Sequence, residues 1–351
     1  MHRRDFLRTA TAATLALPFD RLPAFDATQP LGVVVHSYGN RWNSRVSSQV
    51  YPGFANALDL LDHCHELGAA GVQVGVGSWS ADFARQVRDR RERLGMYLEG
   101  SIGLPMKPDD APRFEEEVRQ AREAGAQVLR TVCSGGRRYE VFHSAQAFEE
   151  FAKTARQALQ TAAPILAKHG VKLAVENHKD YRADELAALL RELGSEWIGV
   201  TLDFGNNLAL LEDPTHVVET LAPYTLSTHV KDMGVAEYPN GFLLSEVPLG
   251  TGLLDLPALV ATCRKHNPAV TFNLEMITRD PLEIPCLTDD YWATFASVPG
   301  TDLARTLRLV RDRRAATLPR VSGLEPIERL AAEEKNIVSC LNYGRESLAR
   351  S

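Results

Sequence analysis

Eight short apolar runs, at residues 31–37, 72–77, 96–102, 127–133, 171–177, 198–204, 226–231 and 270–277, alternate with longer amphipathic stretches along most of this chain. The runs are aliphatic and β-branched with little polar alternation, a composition suited to strands buried on both faces. The intervening stretches read as helices. Those at residues 55–67, 81–94, 112–124, 145–169 and 183–193 stop at Gly68, Gly95, Gly125, Gly170 and Gly194, where a left-handed C-terminal cap is easiest for glycine. Asp213-Pro214 and Asp255-Leu256-Pro257 open two more with a capping aspartate and a first-turn proline, and residues 302–314 supply the helix after the eighth run. Glu115, Glu116 and Glu117 are read as an acidic first turn, favourable to the helix dipole.

Strand–helix alternation predicts a parallel α/β fold, and eight strands close a single (β/α)8 TIM barrel. A doubly wound sheet would carry a glycine-rich nucleotide turn after its first strand. Here that position reads His36-Ser37-Tyr38-Gly39-Asn40, with no such pattern. The barrel is assigned to residues 29–318, and residues 319–351 to a C-terminal helical extension packed on it, with its amphipathic part at 328–342. Residues 1–28 are set aside as a leader. Arg3-Arg4-Asp5-Phe6-Leu7, followed by a weakly apolar run at 9–18, matches a twin-arginine export signal and is too short to span a bilayer. The mature protein is therefore expected in the periplasm or otherwise exported.

Net charge narrows the partners. At −6, the chain has no electrostatic pull toward nucleic acid or an anionic membrane. The expected partner is a small molecule, and a homo-oligomer stays open. The cysteines Cys64, Cys133, Cys263, Cys286 and Cys340 are odd in number and scattered, which fits neither a disulfide framework nor a zinc finger.

The chemistry concentrates at the ends of the last four runs. Glu176, Asp203, His229 and Glu275 each stand at or near the C-terminal end of one of them, and in a barrel those ends converge on the catalytic face. Three carboxylates and an imidazole brought together dry are costly unless paired. A divalent cation resolves that cost. Three oxygen donors and one nitrogen favour Mn²⁺, with Mg²⁺, Co²⁺ or Zn²⁺ compatible.

The motifs Val175-Glu176-Asn177-His178, Leu202-Asp203-Phe204-Gly205-Asn206, His229-Val230-Lys231-Asp232, Pro248-Leu249-Gly250-Thr251-Gly252 and Leu274-Glu275-Met276 resemble the sugar phosphate isomerase/epimerase family of xylose isomerase-like TIM barrels, over about residues 31 to 315. The resemblance implies a metal site of Glu176, Asp203, His229 and Glu275, with Glu176 and Glu275 also forming the catalytic acid/base pair. Two positions depart from the family pattern. Asn206 replaces the histidine that ketose 3-epimerases commonly place three residues after the metal aspartate, and Thr251 replaces the glutamate of a Gly-Glu-Gly turn.

The expected function is thus a metal-dependent isomerase or epimerase acting on a sugar or keto-sugar, through α-proton abstraction and a metal-stabilised enediolate. Substrate contacts are assigned to His178, Lys231, Arg130, Arg279 and Asn206, with Trp79 as an apolar wall beside a sugar ring. The alternative for Lys231 is a salt bridge to Asp232 or Glu176. An alternative is a lyase or dehydratase on 3-keto glycosides or inosose-like substrates. An alternative of another class is a non-catalytic periplasmic sugar-binding protein, whose signature would be lost ligands; all four are present. A DNA-repair nuclease of the same superfamily would need a histidine-rich cluster and a basic face, against ten histidines in all and net charge −6.

Overall fold

The computed structural model describes residues 31–42, 44–295 and 297–349; the leader proposed at 1–28 lies outside them. In chain order the main elements are β1 (Leu31–Val34), α1 (Ala57–Glu66), β2 (Gly71–Gly75), α2 (Ala81–Leu94), β3 (Tyr97–Ser101), α3 (Ala111–Glu123), β4 (Val128–Thr131), the single turn α4 (Arg138–Val141), α5 (Ala145–His169) and β5 (Lys172–Glu176). There follow α6 (Ala183–Leu193), β6 (Ile198–Asp203), α7 (Pro214–Leu221), β7 (Thr225–Val230), β8 (Asp232–Tyr238), β9 (Gly241–Val247), α8 (Leu256–His266), β10 (Thr271–Leu274), β11 (Leu282–Ile284), α9 (Asp289–Trp292), α10 (Gly300–Asp312) and α11 (Pro326–Tyr343). Strands β1 to β7 and β10 close a parallel barrel in the order β1-β10-β7-β6-β5-β4-β3-β2. All eight apolar runs thus become barrel strands, buried nearly throughout as their composition requires.

The helix ends follow local chemistry. Gly95, Gly170 and Gly194 take the left-handed conformation after α2, α5 and α6, as C-cap glycines do. Asp213 accepts from the Thr215 and His216 amides at the start of α7, and Asp255 from Ala258 at the start of α8. One expectation fails. Glu115, Glu116 and Glu117 do not lie in the first turn of α3, which begins at Ala111. Their partners are instead side chains: Lys168 and His169 for Glu115, Arg119 for Glu116, Arg113 for Glu117.

Two features lie beyond the eight-strand plan. Strands β8 and β9 form an antiparallel hairpin, with β11 on its outer edge. This sheet has its own core, in which Val235, Phe242, Leu244 and Ile284 pack with Tyr291 and Val310 from α9 and α10. The second feature is α11. Its Ile337, Cys340 and Leu341 join the barrel core. Its Glu333 accepts from the Asn40 and Arg41 amides at 2.7 and 3.0 Å and from the Asn40 side chain at 2.8 Å. Asn336 donates to Thr278 Oγ1 at 2.9 Å, and the Asn40 side chain donates to the Thr278 carbonyl at 3.2 Å. The last helix therefore braces the loops after β1 and β10. All five cysteines are free and buried, in keeping with a role as small hydrophobes. Among the described residues no helix is long and apolar enough to cross a membrane.

Candidate metal centre

Strands β5, β6, β7 and β10 are neighbours in the barrel, so residues at their C-terminal ends meet. Glu176 ends β5, Asp203 ends β6, His229 is next to last in β7, and Glu275 follows the last residue of β10. The register pairs Asp203 directly with His229. Asn177 fixes the neighbouring rim: its side chain donates to the Asp203 carbonyl at 2.9 Å and accepts from the Asp203 amide at 2.7 Å. One donor atom from each of Glu176, Asp203, His229 and Glu275 lies within 4.8 Å of all the others, and all four residues are buried.

The imidazole shows what this cluster suits. His229 Nε2 sits 2.8 Å from the side-chain oxygen of Gln73, so in the neutral ring Nε2 carries the proton and Nδ1 is left as a lone pair. Nδ1 has Glu275, Glu176 and Asp203 oxygens at 3.4, 3.6 and 3.8 Å, yet makes no hydrogen bond. Atoms bound to a common ion at about 2.0–2.1 Å stand roughly 3–4 Å apart, and a buried acceptor without a donor is costly. The four residues therefore fit a divalent cation of the Mg²⁺ or Mn²⁺ kind. Asp203 Oδ2 also lacks a hydrogen bond, although Lys231 Nζ forms an ion pair with it at 2.7 Å.

The two candidate acid/base carboxylates are held from behind. Burial alone would raise the pKa of Glu176, but Arg130 and His229 outweigh it and hold it well below the usual carboxylate range. Arg130 pairs with Glu176 Oε2, and the Asn206 amide donates to Oε1 at 2.9 Å. Glu275 is likewise raised by burial and lowered further than that by Lys231 and His229; its oxygens meet Lys231 Nζ and, at 3.2 Å, His36 Nδ1. For His229, burial lowers the pKa but Glu275 and Glu176 raise it more, to about 10; a cation among the carboxylates would take over that compensation.

A cavity of about 250 Å³ opens beside the cluster, walled by the loops after β1, β4, β5, β6, β7 and β10. This is slightly below the usual range for small-molecule sites. His178, Lys231, Asn206 and Arg279 from the sequence reading line it, as does Glu275. His178 lies 3.1 Å from the Ser134 carbonyl through Nδ1, and burial pushes its imidazole down to about 4. Lys231 pairs with Asp203 and Glu275, not with Asp232 or Glu176. Asp232 instead accepts the Met233, Gly250, Gly252 and Leu254 amides. At Gly252 a Cβ would fall 2.2 Å from an Asp232 oxygen, which accounts for the Gly-Thr-Gly turn.

Two expected substrate contacts fall elsewhere. Arg130 lies behind Glu176 and does not line the cavity, and Trp79 packs edge-on against Phe83 of α2 at 5.3 Å, also away from it. Sequence reasoning missed His36, Gln73, Lys179 and Glu246. Glu246 comes from β9 and pairs bidentately with Arg279. Lys179 is buried, has a left-handed backbone (φ 66°), and donates to the Asn206 side-chain oxygen. Burial, then the neighbouring Lys231, push its ammonium down to about 8.

A barrel whose rim gathers three carboxylates and an imidazole offers a place that could hold a metal ion. The chain belongs to the xylose isomerase-like TIM barrel family, whose model matches residues 61–294. It is 27% identical to a 3-oxo-isoapionate decarboxylase of Pectobacterium atrosepticum over 271 residues, covering 75% of this chain and 92% of that protein. In fold it resembles a D-psicose 3-epimerase solved in the presence of D-fructose, with TM-score 0.62, 14% identity, and coverage of 92% of this chain and all of that one. It also resembles a xylose isomerase-like TIM barrel protein from Mycobacterium smegmatis in complex with magnesium, with TM-score 0.54, 15% identity, and coverage of 80% and 98%.

Proposed function

We propose that this protein is a divalent-metal-dependent isomerase or epimerase acting on a sugar or keto-sugar by α-proton transfer, with Glu176, Asp203, His229 and Glu275 holding the ion. The observation that carries this reading is the buried Nδ1 of His229, which makes no hydrogen bond and faces three carboxylates. Mn²⁺ is the ion we favour. When bound, the ion supplies Lewis-acid polarisation of the substrate carbonyl and so acidifies the adjacent C–H.

The chain supplies the proton chemistry. Glu176 and Glu275 come from strands separated by two others in the barrel, and both are kept ionised by the cations behind them. One removes the α-proton; the other, or the same one, returns a proton to carbon, and the two choices give epimerisation or isomerisation. Arg130 and Asn206 hold Glu176 in place, while Lys231 and His36 hold Glu275. His178, Lys231, Asn206 and Arg279 contact the substrate from the cavity wall. The leader at residues 1–28 supports export through the twin-arginine route, where the enzyme would meet free sugars.

A second reading, lyase chemistry, is favoured by the name of the Pectobacterium relative. In decarboxylation the C–C bond to the carboxylate breaks, CO₂ leaves, the bond's electron pair enters the enolate, and a proton relayed from water adds to the α-carbon; in dehydration Glu176 or Glu275 takes the α-proton and the resulting enolate expels a β-hydroxyl, which leaves as water once protonated. One experiment separates these readings. The metal-loaded enzyme is incubated in D₂O with ketoses and 3-keto sugars, and the products are analysed by NMR and mass spectrometry. Deuterium at the α-carbon of an isomer supports the first reading; loss of CO₂ or water supports the second. Full activity after exhaustive chelation overturns both.

A further inference from the structure

The cavity wall carries four cationic side chains, Arg137, Lys179, Lys231 and Arg279, and three of them have carboxylate partners. Arg137 pairs with Glu140, Lys231 with Asp203 and Glu275, and Arg279 with Glu246. Lys179 differs. It is 4% exposed, and among the described residues it has no carboxylate within ion-pair distance; its ammonium meets only the neutral oxygen of Asn206. Burying a charge without a counter-charge is unfavourable. The backbone adds to this cost. Lys179 is one of three non-glycine residues with positive φ among the described residues, and such strain gathers at sites that bind ligands. Holding a lysine in this conformation at the rim places its ammonium in the wall of the cavity.

The ammonium is also close to the reaction centre. Asn206 Oδ1 accepts from Lys179 and lies 3.4 Å from Lys231 Nζ, while Asn206 Nδ2 donates to Glu176 Oε1 at 2.9 Å. A single amide thus separates Lys179 from a metal-ligand carboxylate.

We infer that the substrate is an anion, a keto-sugar acid whose carboxylate lies close to the reacting carbonyl and is anchored by Lys179. This rests on the metal-dependent reading above and narrows its substrate class. A carboxylate fits better than a phosphate. One lysine ammonium balances the single charge of a carboxylate but only half that of a phosphate dianion, and the cavity of about 250 Å³ leaves little room for a sugar with a distant phosphate.

The test compares ligands that differ in one group. D-Fructose and 2-keto-D-gluconate share a carbon skeleton and differ by a hydroxymethyl group against a carboxylate. Their affinities for the metal-loaded protein are measured by calorimetry, alongside D-fructose 6-phosphate. The keto acid is expected to bind at least tenfold more tightly than the ketose. Lys179→Gln should abolish that preference, lowering keto-acid affinity at least tenfold more than fructose affinity, and Lys179→Arg should restore much of it. Equal affinity for the pair, tighter binding of the phosphate ester, or an unchanged preference in Lys179→Gln overturns the inference. If the Gln variant fails to fold, Lys179→Arg and the wild-type ligand pair still decide. The two readings fail separately. Metal-dependent deuterium exchange without carboxylate preference sinks the anion anchor alone. A carboxylate preference that Lys179→Gln removes, with no metal-dependent exchange, sinks the proposed reaction alone.

Discussion

Two buried polar clusters lie inside this barrel, and their difference separates scaffold from site. In the lower one, Glu99 of β3 accepts from Gln73 at 2.9 Å, Ser227 at 2.7 Å, Asn273 at 3.1 Å and Thr271, and Tyr97 completes it by donating to Asn273 at 2.8 Å. Burial raises the pKa of Glu99, and the Thr271, Ser227 and Gln73 bonds only partly offset it. Every acceptor there is used. In the upper cluster, the same density of buried polar groups leaves His229 Nδ1 and Asp203 Oδ2 without hydrogen bonds. A satisfied network fixes strand register; an unsatisfied one of like charges fits an ion. Gln73 joins the two, giving its amide to Glu99 and its oxygen to His229.

The largest effect that would break this contrast is expected at the upper cluster. Glu275→Ala should reduce turnover by on the order of 10³-fold and weaken metal binding; steady-state kinetics and a metal titration on one preparation check both. At the lower cluster the pattern should invert. Glu99→Ala strands several buried donors and should cost about 3 kcal/mol in urea unfolding, while metal stoichiometry of the folded fraction is preserved. Chelation should lower Tm, and re-addition of Mn²⁺ at about 100 times its Kd should restore about 2.7 kcal/mol. Gln73→Leu tests the link between the clusters. It should weaken metal affinity about 10–100-fold by freeing the His229 ring, measured by competition with a fluorescent chelator. A metal affinity unchanged by this substitution would show the clusters to be independent.

A further effect concerns pH. Burial raises Glu333 of α11 to about 7, against 4.5 for a carboxyl in water. Between those values the folded chain keeps a proton that the unfolded chain has lost, so stability falls as pH rises through this window, by at most about 1.4 kcal/mol per pH unit. Glu333→Gln should flatten the slope between about pH 4.5 and 7 in denaturant titrations.

Much of this was legible in the sequence because strand burial and helix capping are local. The eight runs, the glycine stops and the capping aspartates each depend on a few adjacent residues. The four ligand-type residues were legible because barrel strands bring their ends to one rim. The β8–β9 hairpin was missed although Asn240-Gly241 between apolar runs is a hairpin signal; the sequence reading places no element between the seventh run, ending at residue 231, and the helix opened by Asp255. Lys179 was missed for a different reason. Period-two reasoning from Glu176 points to His178, but β5 ends at Glu176 and the chain turns left-handed at Lys179, where alternation no longer applies. His36 and Gln73 meet the site only through barrel closure, and no local signal marks them.

The brace from α11 has a consequence for how the molecule is made. The loop bearing Asn40 is synthesised 293 residues before the carboxylate of Glu333 that receives its amides. Chains fold from the N-terminus as they emerge, so the rim next to His36 and Thr278 stays unbraced until α11 has been made. A chain that stopped before residue 333 would therefore leave the amides of Asn40 and Arg41 and the Asn40 side chain without their carboxylate, on the loop that also carries His36.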